Sequence, residues 1–310
     1  MENVAVLIVG AGPAGLATAA CLTQFSIPYV IVEREDCGAS LWRNRAYDRL
    51  KLHLAKEFCK LPYISYPEDA PTYIPKALFV KYLDEYMERF EIQPKYLTSV
   101  ESSKYDNDNN CWSIVAREMA ECTTTKIIAK FLVVASGENS ANNIPVIPGL
   151  DTFMGEALHS SRYKSGKSFF GKSVLVIGSG NSGMEIAYDL ATHGANTSIV
   201  IRSPVQGNIS NIMGNIVKFQ CGDEISFDSI VFATGYKSTA NAWLKNDGSM
   251  LNENGLPIKE YPNHWKGENG LYCAGLARRG LAGIAADAKN IANDINSTMG
   301  SISSEISFCM

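Results

Sequence analysis

The stretch that most constrains this chain is its opening, Val4-Ala5-Val6-Leu7-Ile8-Val9-Gly10-Ala11-Gly12-Pro13-Ala14-Gly15. An apolar, β-branched run leads straight into Gly-x-Gly-x-x-Gly. Leu16-Ala17-Thr18-Ala19-Ala20-Cys21-Leu22 follows, a segment of good helix formers. The pattern predicts a strand, a tight turn and a helix. Gly10 permits the turn, Gly12 lets a pyrophosphate approach the backbone, and Gly15 lets the helix pack closely on the strand. The free N–H groups at the helix start then face the anion. Val30-Ile31-Val32 predicts a second strand ending at Glu33, whose carboxylate can accept the hydroxyl protons of an adenosine ribose. Arg34 beside it joins the candidate contacts. Strand, glycines, helix, strand and acid fall in the order the fingerprint requires. A ligand with an adenosine diphosphate moiety is implied, and the fingerprint alone does not separate FAD from NAD.

The pattern recurs. Ser173-Val174-Leu175-Val176-Ile177 runs into Gly178-Ser179-Gly180-Asn181-Ser182-Gly183, and Met184-Glu185-Ile186-Ala187 opens a helix. Here the second strand, Thr197 to Ile201, ends at Arg202-Ser203 rather than at an acid. A guanidinium and a hydroxyl pair with a ribose 2′-phosphate that a carboxylate would repel, so NADPH is expected over NADH. Two nicotinamide nucleotides would have no acceptor chemistry between them. FAD in the first site and NADPH in the second make an oxidoreductase in which reducing equivalents pass to the flavin.

Between the fingerprints, Gly38 to Arg45 is basic and aromatic, and Trp42 within it is expected to lie along a flavin. Pro75 is expected to open a helix running to about Phe90, with Leu78, Phe79, Tyr82, Leu83, Tyr86, Met87 and Phe90 at core spacing. Val100–Tyr105 and Trp112–Arg117 read as a hairpin completed by a strand from Ile127 to Ala135. A buried strand ending Phe232-Ala233-Thr234-Gly235 and a short one at Leu271-Tyr272-Cys273-Ala274-Gly275 follow. Gly275 and Gly283 are candidate flavin contacts, with Gly283 leading into a helix from about Ile284 to Ile295 and a mobile tail after Asn296. The fold class expected is α/β, two dinucleotide-binding (Rossmann-like) domains with the NADPH domain inserted in the FAD domain. Residues 1–150 form the first part of the FAD domain, 151–235 a shortened NADPH domain, and 236–310 the return to the FAD domain.

The bulk numbers exclude several classes. At 310 residues, 46% apolar and 19% charged, the chain has an ordinary globular composition. A net charge of −4 with both signs interspersed carries no nucleic-acid footprint. No apolar run is long enough to span a membrane. Eight cysteines without a Cys-x-x-Cys pair suggest neither a zinc site nor a redox disulfide, and no metal is expected. Reduced thiols and no secretion signal point to the cytoplasm.

Phe153-x-Gly155-x-x-x-His159-x-x-x-Tyr163 resembles the identifying motif of class B flavin-dependent monooxygenases, with Tyr at the last position as in the flavin-containing branch. Leu50-Lys51-Leu52-His53-Leu54, Asn181-Ser182-Gly183-Met184-Glu185-Ile186, Phe232-Ala233-Thr234-Gly235-Tyr236-Lys237-Ser238 and Trp265-Lys266-Gly267 are similar to the plant YUCCA proteins. The resemblance implies conversion of indole-3-pyruvate, an indolic 2-oxo acid, to indole-3-acetate (auxin) with FAD, NADPH and O2. It also makes His159 and Tyr163 the candidate catalytic residues, holding the linker and bound NADP rather than exchanging protons. The chain departs from that family in one place. Several dozen mostly helical residues are expected after the second Arg-Ser, yet Arg202-Ser203-Pro204-Val205 runs directly into Gln206-Gly207-Asn208, as though a segment were missing after Val205. An incomplete second domain with exposed apolar surface is then expected. An uncoupled NADPH oxidase and a silent FAD-binding variant are the alternatives this leaves open.

Overall fold

Eight consecutive residues, six of them apolar and four β-branched, form β1 (Glu2–Val9), and Pro13 at the first helical position starts α1 (Pro13–Gln24). In chain order there follow β2 (Tyr29–Val32), α2 (Lys76–Arg89), β3 (Thr98–Asp106), β4 (Cys111–Glu118), β5 (Thr123–Val134), β6 (Ala141–Asn142), β7 (Glu156–His159) and β8 (Ser173–Ile177). Then come α3 (Asn181–Thr192), β9 (Asn196–Val200), β10 (Ile209–Met213), β11 (Ile216–Phe219), β12 (Glu224–Ser226), β13 (Ser229–Phe232) and β14 (Tyr236–Lys237). The chain closes with α4 (Ala240–Trp243), β15 (Leu244–Lys245), β16 (Leu271–Cys273) and α5 (Gly280–Phe308). This computed structural model describes residues 1–201, 209–245 and 248–308, the last eight by backbone alone.

Two compact units result. The first comprises residues 1–41, 51–140 and 237–310, and the second residues 42–50 and 141–236. The first unit is built on a sheet of order β15-β3-β4-β5-β1-β2, with β16 also paired to β5. β1 runs parallel to β2 and β5, while β3, β4 and β5 form an antiparallel meander. Its core gathers Leu7, Val9, Trp112, Ile114, Leu132, Val134, Trp243 and Leu244. In α2 the buried residues Phe79, Tyr82, Leu83 and Tyr86 recur at helical spacing, and Pro75 caps the helix from outside.

The second unit has a parallel sheet of order β7-β13-β8-β9 and a separate antiparallel sheet β10-β11-β12. Both faces of the parallel sheet are buried, so β8 is apolar from Val174 onward instead of alternating. Val174 and Val176 join Tyr163, Ile186 and Leu190 on one face; Leu175 and Ile177 join Phe227, Ile230 and Phe232 on the other. Past β9 the described chain resumes with β10, and Met213, Ile216 and Ile225 of the small sheet are exposed.

Three boundaries fall elsewhere than the sequence suggests. The first domain gives way at Ser140 rather than near residue 150. Trp42 belongs to the second unit, because Trp42–Leu50 is tied there by side-chain bonds described below. The last helix begins at Gly280, not Ile284, so Gly283 lies in its first turn, and it continues to Phe308 where a mobile tail is expected from the sequence. Positive φ at Arg278 (56°) and Gly280 (60°) turns the chain sharply enough for the helix to start at once.

Candidate functional site

In the first unit Gly10 has φ +110°, and a Cβ on it would stand 2.5 Å from the Ala135 carbonyl oxygen. A Cβ on Gly15 would stand 1.9 Å from the Gly10 carbonyl oxygen. The fold itself therefore requires both glycines. Gly12 is different: its backbone is ordinary and extended (φ −78°), and no atom lies within 4 Å of where its Cβ would stand. Neither strain nor crowding accounts for a glycine there, and the backbone is left open to the approach of a ligand. Gly12 is also the N-cap of α1 and offers no side-chain cap, and no acid occupies the first turn. The N–H groups of that turn are left to an anion.

Glu33 follows β2 and is buried. Its Oε2 accepts from the Ala11 backbone N–H at 2.8 Å and its Oε1 from the Glu35 N–H at 3.0 Å. One loop bond to each oxygen fixes the carboxylate beside the glycine turn and leaves each a further lone pair, as ribose recognition requires. Arg34 is exposed; its guanidinium donates to the Ser140 carbonyl at 3.3 Å and meets Glu35 at 3.5 Å. Gly275 (φ +72°) donates its N–H to Asp287 at 3.0 Å, and a Cβ there would stand 3.0 Å from Ala14 of α1. Gly283 answers to its own helix, since a Cβ would meet Arg279 at 2.6 Å.

The second unit repeats this geometry. Gly178 has φ +111° with a Cβ position 2.4 Å from the Ala233 oxygen, and that of Gly183 is 1.9 Å from the Gly178 oxygen. Gly180, at φ −69°, again has open space and caps α3 without a side-chain bond. Ser179 is exposed at the turn. β8 pairs with β9 and β13 as β1 pairs with β2 and β5. Arg202 and Ser203 lie outside the described residues.

His159 ends β7 and Tyr163 follows four residues later, both buried in the second unit. Nδ1 of His159 accepts the Ser161 backbone N–H at 3.2 Å, so Nε2 carries the proton and donates to the Gly235 carbonyl at 2.9 Å. Ser161 Oγ in turn donates to Asn142 at 3.1 Å. His159 and Ser161 thus hold both β6 and the segment before β14. Burial lowers the His159 pKa, with the Gly235 carbonyl partly opposing it. Below the ordinary value of 6.5 the unfolded chain takes up this proton before the folded one does. Stability contributed by His159 is therefore full above that pH and is lost as pH falls through the lower folded value. In thermal melts between about pH 5 and 7, His159→Gln should flatten the fall in melting temperature towards acid; an unchanged slope would refute the assignment.

Tyr163 donates to Asp189 Oδ2 at 2.6 Å, and Asp189 also accepts from the Gly166 N–H at 2.8 Å and from Arg49 at 3.3 Å. Burial alone would raise the Asp189 carboxyl, yet these donors hold it below its usual range. Burial and the Asp189 charge push the Tyr163 phenol far upward, so it acts as a fixed donor. Tyr47 donates to Glu185 at 2.8 Å and Lys164 to the Asn44 carbonyl at 2.6 Å, which fastens the Trp42 segment to this unit. Gly155 of the same motif comes so close to the residue before β13 that a Cβ would stand 2.2 Å from the Asp228 oxygen. Asp189 carries no motif signal; only its placement on the inner face of α3 marks it. Among the described residues no His, Cys, Asp and Glu cluster could hold a metal ion, and no helix is long and apolar enough to cross a membrane.

A family profile described as pyridine nucleotide-disulphide oxidoreductase matches residues 7–216. The chain is 42% identical to a probable indole-3-pyruvate monooxygenase, YUCCA10 of Arabidopsis thaliana, over 97% of its own length and 99% of the relative's. It is 36% identical to the indole-3-pyruvate monooxygenase YUCCA1 of Oryza sativa subsp. japonica, over 94% and 91%. The first alignment runs over 381 positions, so several dozen positions of the relative face no residue of this 310-residue chain. Among solved structures, a flavin-containing monooxygenase from Stenotrophomonas maltophilia has a TM-score of 0.81 at 20% identity, covering 96% of this chain and 100% of that one. A bacillithiol disulfide reductase from Bacillus cereus has a TM-score of 0.83 at 19% identity, over 96% and 100%. At that identity both speak for the fold, and they share the two-domain Rossmann-like architecture. Taken with the duplicated glycine turns, these similarities establish that the chain belongs to the YUCCA family of flavin-dependent monooxygenases.

Proposed function

We propose that this enzyme oxidatively decarboxylates indole-3-pyruvate to indole-3-acetate, consuming NADPH and O2 and releasing carbon dioxide and water. The observation that carries it is the pair of glycines, Gly12 and Gly180, that no neighbouring protein atom explains, in a chain whose relatives are indole-3-pyruvate monooxygenases. FAD, when bound, supplies the redox chemistry that amino-acid side chains lack. The chain supplies position. Gly12 and the first turn of α1 hold its pyrophosphate, and the remaining lone pairs of Glu33 take the adenosine ribose, with Arg34 alongside. Gly275 keeps the start of α5 close to α1 for the flavin end, and Gly283, in the first turn of α5, leaves the backbone there open to the flavin. Gly178, Ser179, Gly180 and Gly183 do the same for NADPH, and Arg202 and Ser203 take its 2′-phosphate. His159 and Tyr163 act by holding the segments around β6 and β14 and the Trp42 segment in register, not by moving protons. The cytoplasm is the proposed compartment, supported by Cys21, Cys59 and Cys273, which are buried free thiols.

Arg202→Ala should weaken NADPH about ten- to a hundredfold, the worth of a charge-assisted contact, and leave NADH nearly unchanged. Equal losses for both nucleotides in a binding titration would remove Arg202 from the 2′-phosphate site. The function itself is tested by supplying indole-3-pyruvate, NADPH and O2 to the FAD-loaded enzyme and measuring acid formed per NADPH consumed. A ratio near unity is expected. Hydrogen peroxide without indole-3-acetate would instead mark an uncoupled NADPH oxidase, the reading favoured by the gap in the alignment.

A further inference from the structure

The residues after β5, Ala135-Ser136-Gly137-Glu138, hold two buried atoms with no hydrogen-bond partner among the described residues: Ser136 Oγ and Glu138 Oε2. Nearly all such groups in folded proteins find a partner, because an unmatched buried carboxylate oxygen is costly. Burial raises the Glu138 carboxyl above its ordinary range, and the charge and backbone N–H of Arg278 oppose this only in part.

Their place in the fold is specific. A Cβ on Gly10 would stand 3.1 Å from Ser136 Cα, so this segment lies against the first glycine of the fingerprint. Arg278 belongs to the turn before α5, in the same unit, and Gly275 of that turn approaches Ala14 of α1. Both unmatched atoms thus lie at the carboxyl end of the parallel strands, where ligands of such sheets bind. The strand order β5-β1-β2 puts them across β1 from Glu33, which follows β2. If Glu33 marks the adenosine end of a dinucleotide, Ser136 and Glu138 are on the side of its other half.

We propose that Ser136 and Glu138 contact the flavin half of FAD, with Glu138 Oε2 accepting a hydrogen bond from a hydroxyl of the ribityl chain. The inference rests on the assignment of FAD to the first unit. Glu138 also faces Arg278, so one carboxyl couples the turn before α5 to the presence of the cofactor.

The test compares wild type, Ser136→Ala, Glu138→Ala and Glu138→Gln after removal of flavin, reading FAD affinity by fluorescence titration and melting temperature with and without FAD. Glu138→Ala should weaken FAD about ten- to a hundredfold, whereas Glu138→Gln, which keeps an acceptor oxygen, should lose less. Without FAD, Glu138→Ala should lower the melting temperature only slightly, because loss of the Arg278 N–H bond is offset by removal of an unmatched buried oxygen; with FAD the drop should be clearly larger. A purely structural pair with Arg278 would lower both melting temperatures equally, and that result, or unchanged FAD affinity, overturns the proposal. Wild-type protein that binds no FAD would overturn the cofactor assignment itself, and this inference with it.

Discussion

Gly12→Val should leave the melting temperature of the flavin-free protein nearly unchanged and abolish retention of FAD. The position has open space around it and an unstrained backbone, so the added side chain starts from a Cβ that no protein atom crowds. It does occupy the ground where a pyrophosphate must approach the N–H groups of α1. A loss of at least roughly a hundredfold in affinity, about 3 kcal/mol, is expected. Gly15→Ala provides the contrast. Its single added carbon would stand 1.9 Å from the Gly10 carbonyl oxygen. Strand and helix must then separate, and the fold should lose roughly 3 kcal/mol with or without ligand. Differential scanning calorimetry of both variants, with and without FAD, separates the two effects. Equal destabilisation by Gly12→Val and Gly15→Ala would mean that Gly12 serves packing and not a ligand.

Asp189→Ala should be the most damaging change outside the glycine turns. The side chain is buried and accepts from Tyr163, Gly166 and Arg49, so its loss strands a phenol and a backbone N–H in the interior. A cost of roughly 3–5 kcal/mol is expected. Tyr163→Phe removes one donor and leaves the carboxylate its other two, which puts its cost near about 1 kcal/mol. Because the folded Asp189 pKa is lowered, its contribution is complete above the unfolded value of about 4 and is lost only as pH falls through the folded value. Urea titrations at neutral pH should show the Asp189→Ala loss, and hydrogen exchange should place it in α3 and β8 of the second unit. A variant as stable as wild type would show that Asp189 is no hub.

Both glycine turns are legible in the sequence because their causes are local. The strand, the positive φ at Gly10 and Gly178, and the close approach of Gly15 and Gly183 to them all involve near neighbours in the chain. The parallel pairing of β1 with β2 and of β8 with β9 follows from the same fingerprint, whereas the third strand beside each turn, β5 or β13, comes from distant chain. Long-range side-chain bonding is not legible. Nothing near Trp42 reveals that Tyr47 finds Glu185, or that Arg49 finds Asp189, so the segment's place in the second unit is hidden until the chain has folded. Asp189 belongs to no motif, and Glu138 stands out only once folding has buried it, although the small residues Ala135-Ser136-Gly137 before it already mark a strand end that a nucleotide can approach. His159 and Tyr163 are visible as motif positions, but their roles as a neutral strut and a fixed donor depend on Gly235 and Asp189, 76 and 26 residues away. The start of α5 is concealed because positive φ at Arg278 is unusual for a residue with a Cβ.

The most direct test of two working cradles in this one chain is to mix FAD-loaded protein with NADPH in the absence of oxygen and follow the visible flavin absorbance. Rapid bleaching by NADPH, and much slower bleaching by NADH, is the predicted result. Absorbance that persists at saturating NADPH while FAD stays bound would contradict it.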